Sequence, residues 1–510
     1  MLKVEYIGHA GWAITTPHLK LLCDPWLNTD GTFYNSWHQF PHNSHLDSAT
    51  ILKDIDILYI SHGHLDHYDE ETLLKINKNT QILIARYDDV QLKGNLQNLG
   101  FKNIRELNEG EIFQFEGCDL QIIKTEDHLD KDSALYFTDG THHILNLNDC
   151  HPEKDQLDCL PSPDLLLFQA SSALWYPCVY DYSEEQKKNL CRTKRLNVLE
   201  RALNYARWTN AKHCIPNAGP VLFIDDKLDF WNNTRRHDYN PFPLNDDAAY
   251  FLQENGFSAD FLVPEDYISL DKGERTTVKN EALSSAIYGD VDSHIRQRVA
   301  FLKENQQSNV PEADAPLAWK LFETQLRKIH AASCIYRFKL KYPFAVCIDG
   351  IKKTIDLKKD IDSFISDDEN APHGYKFEFK SEILIDLLSN KYIDFDDYFL
   401  SLNFKAFRDP DVFDDLLFAL FRNFDIPRLL SSERLYALNQ HDPDETFCRS
   451  DNGVEYEIQK YCPHLSADLE ICGHFDDKGN FVCPVHNFKF EKENGECTTN
   501  GNYHLQIKKL

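Results

Sequence analysis

Two pairs of cysteine and histidine near the C-terminus have the spacing of a metal-binding site. Cys462-Pro-His464 is followed, 18 residues later, by Cys483-Pro-Val-His486. Each loop offers one thiolate and one imidazole, so the two loops together supply two sulfur and two nitrogen ligands. Fourteen cysteines in a long chain with no secretory signal indicate metal binding by such residues and not a disulfide framework.

This division of ligands favours a Rieske-type [2Fe–2S] cluster, in which two cysteines bind one iron and two histidines bind the other. The alternative is a structural zinc site with two cysteines and two histidines. Such zinc sites pair cysteine with cysteine and histidine with histidine, and they normally carry a helix between the two pairs. Residues 465–482 instead have the pattern of a hairpin with a DDKGN turn. Cys472 and Cys497 fall outside the ligand pattern. The predicted cluster ligands are Cys462, His464, Cys483 and His486.

A second group of metal-ligand side chains follows a short apolar strand in the N-terminal part of the chain. The segment ILYISHGHLDH at 57–67 carries His62-x-His64-x-Asp66-His67. A loop at a strand end can direct alternate side chains at one metal and the next pair at a neighbouring metal. This four-ligand spacing resembles the metallo-β-lactamase superfamily. Asp69 is expected to cap the helix that follows.

The resemblance implies further ligands at later strand ends. His128, after DLQIIKT, suits the third ligand of the first metal. Asp149, after ILNLN, suits the carboxylate that bridges two metals, and it shares the catalytic role with Asp66. His9 and Asp24 fit positions beside the floor of the metal site.

One histidine of the superfamily pattern is missing from the strand end where it is expected. The corresponding segment, CIPNAGPVLF at 214–223, contains no histidine. Either the second metal is weakly held, or Asn217, His151 or His237 supplies the missing ligand.

The elements that must position these residues divide the chain into three predicted units. Residues 1–271 alternate strand-like and helical runs, with a helix expected at 184–209, as in an αββα metallo-β-lactamase sandwich. Residues 272–431 predict a helical connector and an α+β scaffold without a catalytic constellation, in which CIYRFKL and FAVCIDG are expected strands. Residues 432–510 have short strands and Gly, Asn and Asp turns, which predict an all-β Rieske domain.

The overall composition excludes several classes of function. A net charge of −28 opposes broad binding to nucleic acid. The sequence has no run of 18 apolar residues, so no membrane span is predicted. The N-terminal MLKVEYIGHAGW has the pattern of a strand and not of a signal peptide, so we expect a cytoplasmic protein.

The two candidate sites together indicate redox chemistry. A one-electron cluster has little use beside a hydrolytic zinc, whereas histidine and carboxylate ligands also suit iron that activates O₂. We therefore predict a Rieske-coupled iron monooxygenase with one or two irons, with zinc as the alternative metal. A soluble reductant is expected to meet an exposed His464/His486 edge. The competing hypothesis is a metal-dependent hydrolase whose Rieske domain senses redox state.

Several segments are similar to CMP-N-acetylneuraminate hydroxylase, a family that joins a Rieske domain to a metallo-β-lactamase-like domain. These segments spread over most of the chain, and the sequence similarity within them is distant. The family implies hydroxylation of a nucleotide sugar, with electrons from an NAD(P)H-dependent reductase through a cytochrome b5 or ferredoxin-type donor. In that family, however, the Rieske domain is N-terminal. The similar segments are 24–27, 57–67, 146–150, 201–207, 214–223, 231–238, 381–418 and 483–490.

Basic side chains could bind an anionic group of a small polar substrate, such as a nucleotide sugar or an amino-sugar or amino-acid-like compound. Arg235 and Arg236 lie in an aromatic, Asn-rich segment and are the leading candidates, with Asn217. Arg192, Lys194 and Arg195 have the pattern of a solvated helix face. A homo-oligomer is expected by analogy with other Rieske oxygenases.

Overall fold

A computed structural model describes residues 1–171, 175–232, 235, 237–305, 311–390, 393–485 and 487–510. Two residues with predicted roles, Arg236 and His486, lie outside the described residues.

The N-terminal part is built from two sheets that enclose a shared core and carry helices on their outer faces. Alternation of buried and half-buried residues in the first strand, Leu2–Gly8, is the pattern of a strand that covers a core on one face. Its strands are β1 Leu2–Gly8, β2 Gly11–Thr15, β3 Lys20–Cys23, β4 Trp37–Gln39, β5 Ile57–Tyr59, β6 Gln81–Ala85, β7 Ile104–Leu107, β8 Ile112–Phe115, β9 Cys118–Glu126, β10 Lys131–Thr138, β11 His143–Asn146, β12 Leu165–Gln169, β13 Cys214–Asn217, β14 Val221–Phe223, β15 Tyr267–Asp271 and β16 Glu274–Val278. Its helices are α1 Ser48–Ile51, α2 Glu70–Lys75, α3 Gln91–Asn98, α4 Lys154–Asp158, α5 Glu184–Thr209 and α6 Asn245–Glu254.

The eight-stranded sheet has the order β16-β15-β1-β2-β3-β5-β6-β7, and the six-stranded sheet has the order β13-β12-β11-β10-β9-β8. Apolar side chains from both sheets, such as Val4 and Leu135, form one buried cluster between them. Helix α5 packs on the six-stranded sheet through Leu199 and Leu203, and α2 and α3 pack on the other sheet through Leu73 and Leu96. This arrangement confirms the predicted αββα sandwich.

Helix α5 confirms the prediction for 184–209. Ser183 begins it, because its hydroxyl accepts the N–H of Gln186. Asn210 ends it in the left-handed conformation. Strand β16 pairs with β15, so the sheet continues past the limit predicted at residue 271.

The middle part combines helices with a five-stranded sheet of order β19-β18-β17-β20-β21. Its helices are α7 Glu281–Tyr288, α8 Val291–Asn305, α9 Ala315–Ala332, α10 Ile335–Lys339, α11 Ser381–Ser389, α12 Phe395–Leu400, α13 Asp415–Arg422 and α14 Ile426–Leu438. Its strands are β17 Phe344–Ile348, β18 Ile351–Ile355, β19 Ile365–Ser366, β20 Tyr375–Phe379 and β21 Lys405–Arg408.

The strand predicted at CIYRFKL is wrong, because this segment forms α10. The cause is the buried carboxylate of Glu433, nearly 100 residues away, which accepts the N–H groups of Ile335 at 2.7 Å and Tyr336 at 3.0 Å. A carboxylate on these otherwise unpaired amides stabilises the start of a helix. The predicted strand at FAVCIDG is present as β17.

The C-terminal part is a small β structure made of two three-stranded sheets, of order β22-β23-β27 and β24-β25-β26. The predicted DDKGN turn joins β24 to β25, and Asp476 accepts the N–H of Gly479 at 2.9 Å across it. Its elements are β22 Thr446–Asp451, β23 Val454–Gln459, α15 Leu469–Cys472, β24 His474–Phe475, β25 Asn480–Cys483, β26 Phe488–Glu491 and β27 Ile507–Lys509. Helix α14 crosses the limit predicted at residue 431.

Within the described parts of the chain, none of the helices combines the length and the apolar character needed to cross a bilayer.

Candidate metal centre and cluster site

The candidate metal ligands meet at the carboxyl ends of parallel strands. Asp24 follows β3 and His62 follows β5, and these two strands are parallel neighbours. Asp149 follows β11, at the corresponding edge of the other sheet. The ends of parallel strands open a crevice at one edge of a sheet, where ligands commonly bind.

The imidazole of His67 belongs to two groups of potential ligand atoms. One group contains His62, His67 and Asp149, and the other contains His9, Asp66 and His67. Within each group the ligand atoms lie within 4.8 Å of one another. The structure therefore brings His62, Asp66 and His67 of the 62–67 loop together with Asp149, the carboxylate that the resemblance implied.

Hydrogen bonds behind this group orient His67. Asp24 Oδ2 lies 2.9 Å from His67 Nδ1, and Asp24 also accepts the N–H and the hydroxyl of Ser61 at 2.8 and 2.6 Å. A carboxylate on one ring nitrogen fixes the tautomer and directs the other nitrogen at a metal. Asp24 thus has the supporting position predicted for it.

The atoms that face the centre fit a metal. His67 Nε2 and Asp149 Oδ1 are 3.5 Å apart, and both are buried without a hydrogen-bond partner among the described residues. A buried donor or acceptor without a partner costs free energy, and a bound cation would satisfy both atoms.

His62 and His64 face each other at the mouth of the centre. His62 Nε2 lies 2.7 Å from His64 Nδ1, which places both nitrogens where one metal could join them. On the other side of the ring, His62 Nδ1 lies 3.1 Å from the buried carboxylate of Asp132. Sequence reasoning missed Asp132, because it lies inside β10 and not at a strand end.

The charges around the centre favour a cation. Burial alone would raise the pKa of Asp66, but the neighbouring charges of His67 and His9 outweigh burial and hold that pKa below its ordinary value. Burial alone would lower the pKa of His64, but the hydrogen bond and charge of Asp396 raise it to about 10. Carboxylates that hold protons on buried imidazoles would equally hold a metal ion in their place.

His9 lies beside Asp66 and His67 and completes the second group of potential ligand atoms. Its Nε2 lies 2.7 Å from Asp66 Oδ2, and its carbonyl accepts the N–H of Ala218 at 3.0 Å. The strand end at Asn217 therefore lies next to His9. Among the alternatives offered for the missing histidine, His237 stacks its ring on Phe230 and Tyr239 and belongs to neither ligand group.

His128 lies outside both ligand groups, in contrast to the prediction that it completes the first metal site. Its Nε2 lies 2.9 Å from Asp415 Oδ2, and its ring packs edge-on against Tyr436. Its carbonyl accepts hydrogen bonds from Asn423 and Ser432. Helices α13 and α14 thus hold the His128 segment away from the centre.

The middle part of the chain, predicted to be scaffold, forms one wall of the cleft that leads to the metal centre. Asp396 Oδ2 lies 3.6 Å from His64 Nε2, and Asp396 Oδ1 accepts a hydrogen bond from Arg422 Nε at 2.7 Å. Both His62 and His128 line this cleft. The resemblance of residues 381–418 to a hydroxylase family was the only sequence signal for this role.

Three of the four predicted cluster ligands, Cys462, His464 and Cys483, lie together in the C-terminal part, and His486 lies outside the described residues. Cys462 follows β23 and Cys483 ends β25, and both are buried. The hydrogen bond to Cys483, together with burial, raises the pKa of the Cys462 thiol well above its ordinary value. Paired buried thiols fit one iron of a [2Fe–2S] cluster. Cys472 also hydrogen-bonds to Cys483, a contact that its sequence position did not predict.

His464 is half-buried, and its ring does not form the exposed edge expected from the sequence. The ring stacks on Phe488 at 4.1 Å between centroids and meets Tyr503 edge-on at 5.4 Å. Phe413, which lies just before α13, is 6.4 Å away. His464 therefore faces the rest of the protein.

Arg235, one of the predicted substrate contacts, already has an acidic partner in the structure. Its guanidinium forms an ion pair with the buried carboxylate of Asp246 at the start of α6. The carboxylate neutralises the charge that was expected to bind a substrate.

Comparison with known families agrees with this geometry. Residues 3–188 match the Beta-lactamase superfamily domain, and residues 433–507 match the Rieske [2Fe-2S] domain. The chain joins a metallo-β-lactamase domain to a C-terminal Rieske domain. The Rieske domain implies a [2Fe–2S] cluster, and the metallo-β-lactamase fold implies iron or zinc.

A Rieske 2Fe-2S iron-sulfur protein of Mycolicibacterium smegmatis is 28% identical and matches 100% of both chains. The cytidine monophosphate-N-acetylneuraminic acid hydroxylase of Danio rerio is 25% identical over 43% of this chain and 38% of its own length. The likeness to that hydroxylase is therefore partial, and covers less of the chain than its motifs suggested.

Among solved structures, a possible metal-dependent hydrolase from Veillonella parvula covers 53% of this chain with 14% identity and a TM-score of 0.40. The diiron beta-hydroxylase CmlA from Streptomyces venezuelae covers 55% of this chain and 54% of its own, with 16% identity and a TM-score of 0.36. At such scores the likeness distinguishes neither metal nor reaction.

Proposed function

We propose that the protein is a Rieske-coupled non-haem iron monooxygenase that oxygenates a small polar substrate, such as a nucleotide sugar or an amino-sugar or amino-acid-like compound. When bound, the cluster would supply single electrons and the iron would activate O₂. The electron donor would be an NAD(P)H-dependent reductase or a cytochrome b5 or ferredoxin-type protein. The metal ligands in this proposal are His62, His64, Asp66, His67, Asp149 and, on the second metal, His9.

One short segment that touches both sites carries the proposal. Phe413 packs beside the cluster ligand His464 and donates its N–H to Tyr503 at 3.2 Å. Two residues later, Asp415 binds His128 in the wall of the metal cleft. A redox domain that only sensed the cell's state would not need this direct link to the cleft.

The chain's own residues have separable roles in this proposal. Asp24 and Ser61 orient His67, and Asp132 orients His62. Asp396 and Arg422 form an ion pair that lines one side of the cleft. Such supporting groups tune the ligands and the access of solvent to a metal.

Metal and sulfide analysis of the purified protein tests the class of reaction. A [2Fe–2S] cluster contains equal amounts of iron and labile sulfide, so we expect iron in excess of sulfide if the second site also holds iron. Electron paramagnetic resonance of the reduced protein should show a Rieske signal. Equal iron and sulfide together with zinc, and hydrolysis that continues without O₂ or reductant, would support the hydrolase alternative and contradict the proposal.

Asp415→Asn should slow the O₂-dependent reoxidation of the reduced cluster by about tenfold, because it weakens a charged hydrogen bond worth about 1.5–3 kcal/mol. Asp415 acts through His128 and is therefore a positioning residue. Stopped-flow absorbance of the pre-reduced protein mixed with O₂ measures the rate.

Asp414→Asn is the matched control for Asp415→Asn. Asp414 lies next to Asp415 and caps α13 by accepting the N–H of Leu417, and asparagine caps helices as well as aspartate. We expect unchanged reoxidation in this variant and unchanged cluster and metal content in both. Equal reoxidation rates in the two variants would show that Asp415 does not connect the cluster site with the metal cleft.

A further inference from the structure

Helix α5 lies between the two candidate sites. On one side, Tyr205 donates its hydroxyl to Pro152 O at 3.4 Å, in the loop that follows Asp149. On the other side, Asn204 donates to Pro484 O at 3.3 Å, in the second cluster loop. Lys194 and Arg201 are seven residues apart, and this spacing puts their side chains on the same face of a helix.

The basic groups at this place have no acidic partner among the described residues. Among the described residues, no carboxylate lies within 4.0 Å of the Lys194 or Arg201 side-chain nitrogens, whereas Arg192 and Arg195 on the same helix pair with Asp238 and Asp247. Within the same part of the chain, Arg201 Nη2 is buried without a hydrogen-bond partner, and so is Nε2 of His151 in the loop that follows Asp149. In a chain with a net charge of −28, half-buried cations without an acidic partner are unexpected.

The pKa values of these groups reflect burial and the charges around them. Burial, followed by the charge of Arg201, lowers the pKa of Lys194 to about 7. Burial also lowers the pKa of Arg201, against the opposing charges of Tyr205 and Asp149.

We infer that Lys194, Arg201 and His151 form an anion-binding site that receives a carboxylate or phosphate group of the substrate beside the metal centre. A guanidinium, an ammonium and an imidazole together supply the donors that such an anion needs. Because a buried polar atom without a partner is costly, the unpaired Arg201 Nη2 and His151 Nε2 indicate that an anion completes the site. The inference rests on the proposed function only for the identity of the anion as substrate.

Calorimetric titration of the holoenzyme with inorganic phosphate, and separately with acetate, tests this site at constant ionic strength. We expect saturable binding of at least one anion, and the stronger of the two identifies the group as phosphate or carboxylate. Arg201→Gln and Lys194→Met should each weaken it by about tenfold, because charge-assisted hydrogen bonds are lost. Arg192→Gln, on the exposed side of α5, should bind as the wild type does.

The melting temperature in the absence of added anion gives a second measurement. Lys194→Met should raise it, because an apolar side chain replaces a half-buried cation that has no acidic partner among the described residues. Binding that survives both Arg201→Gln and Lys194→Met would place the anion on the metal and overturn the inference, as would the absence of saturable binding. Neither measurement depends on turnover. The anion site can therefore be disproved while metal and sulfide analysis supports the proposed function, and the reverse also holds.

Discussion

Cys483→Ser should abolish the Rieske signal and reduce O₂-dependent turnover to background, while the metal of the N-terminal site remains bound. Cys483 ends β25, and its buried thiol contacts that of Cys462, so its loss removes one of two thiolates from the cluster. Electron paramagnetic resonance, labile sulfide and metal content of the same preparation measure the effect. Full turnover without the cluster would establish the hydrolase alternative.

Cys472→Ser is the matched control for this variant. The Cys472 thiol also contacts Cys483 and also donates to Asp468 O at 3.1 Å, yet its position does not fit either ligand pair. We expect the cluster and its signal to persist in Cys472→Ser. Loss of the signal in this variant would mean that Cys472 is a ligand and that the assigned set is wrong.

His67→Ala should lower the affinity of the N-terminal site for its metal by at least about a hundredfold, since even an outer partner of a ligand typically contributes about 10–100-fold. His67 is shared by both ligand groups, so its loss affects each. Metal analysis after dialysis against a weak chelator measures the loss. The Rieske signal should stay, because β5 and the cluster loops belong to separate sheets.

Asp24→Asn gives the graded counterpart of His67→Ala. Asparagine keeps the size of the side chain but weakens the hydrogen bond that orients His67 Nδ1. We expect metal affinity to fall by about 10–100-fold, less than in His67→Ala. An equal or larger loss in Asp24→Asn would show that Asp24 itself binds the metal.

Local spacing was enough to predict the ligand loops and the helix α5, because the residues that define each of them lie within one short segment. The loop at 62–67 is a short segment after one strand, so its side chains face the same space wherever that strand lies. The same reasoning gave Cys462 and Cys483 as one pair of thiols and gave α5 its bounds, because its capping residues are adjacent in the chain.

Residues that act across long separations could not be predicted in this way. The sequence offered Asn217, His151 and His237 for a missing ligand, yet His9 joins Asp66 because β1 and β2 bring the N-terminal turn to the end of β5. Asp415 lies 287 residues from His128, and no periodicity relates them.

The sequence by itself determined the ligand types, the two-module order and the αββα sandwich, because these depend on spacing and hydrophobic pattern within short segments. Only the tertiary structure decided that His128 turns to Asp415, that the supposed scaffold forms a wall of the metal cleft, and that Lys194 has no acidic partner among the described residues. The pattern of α5 predicted a solvated basic face that includes Lys194. The neighbours that decide whether such a charge is paired come from distant parts of the chain, as Asp238 and Asp247 do for Arg192 and Arg195.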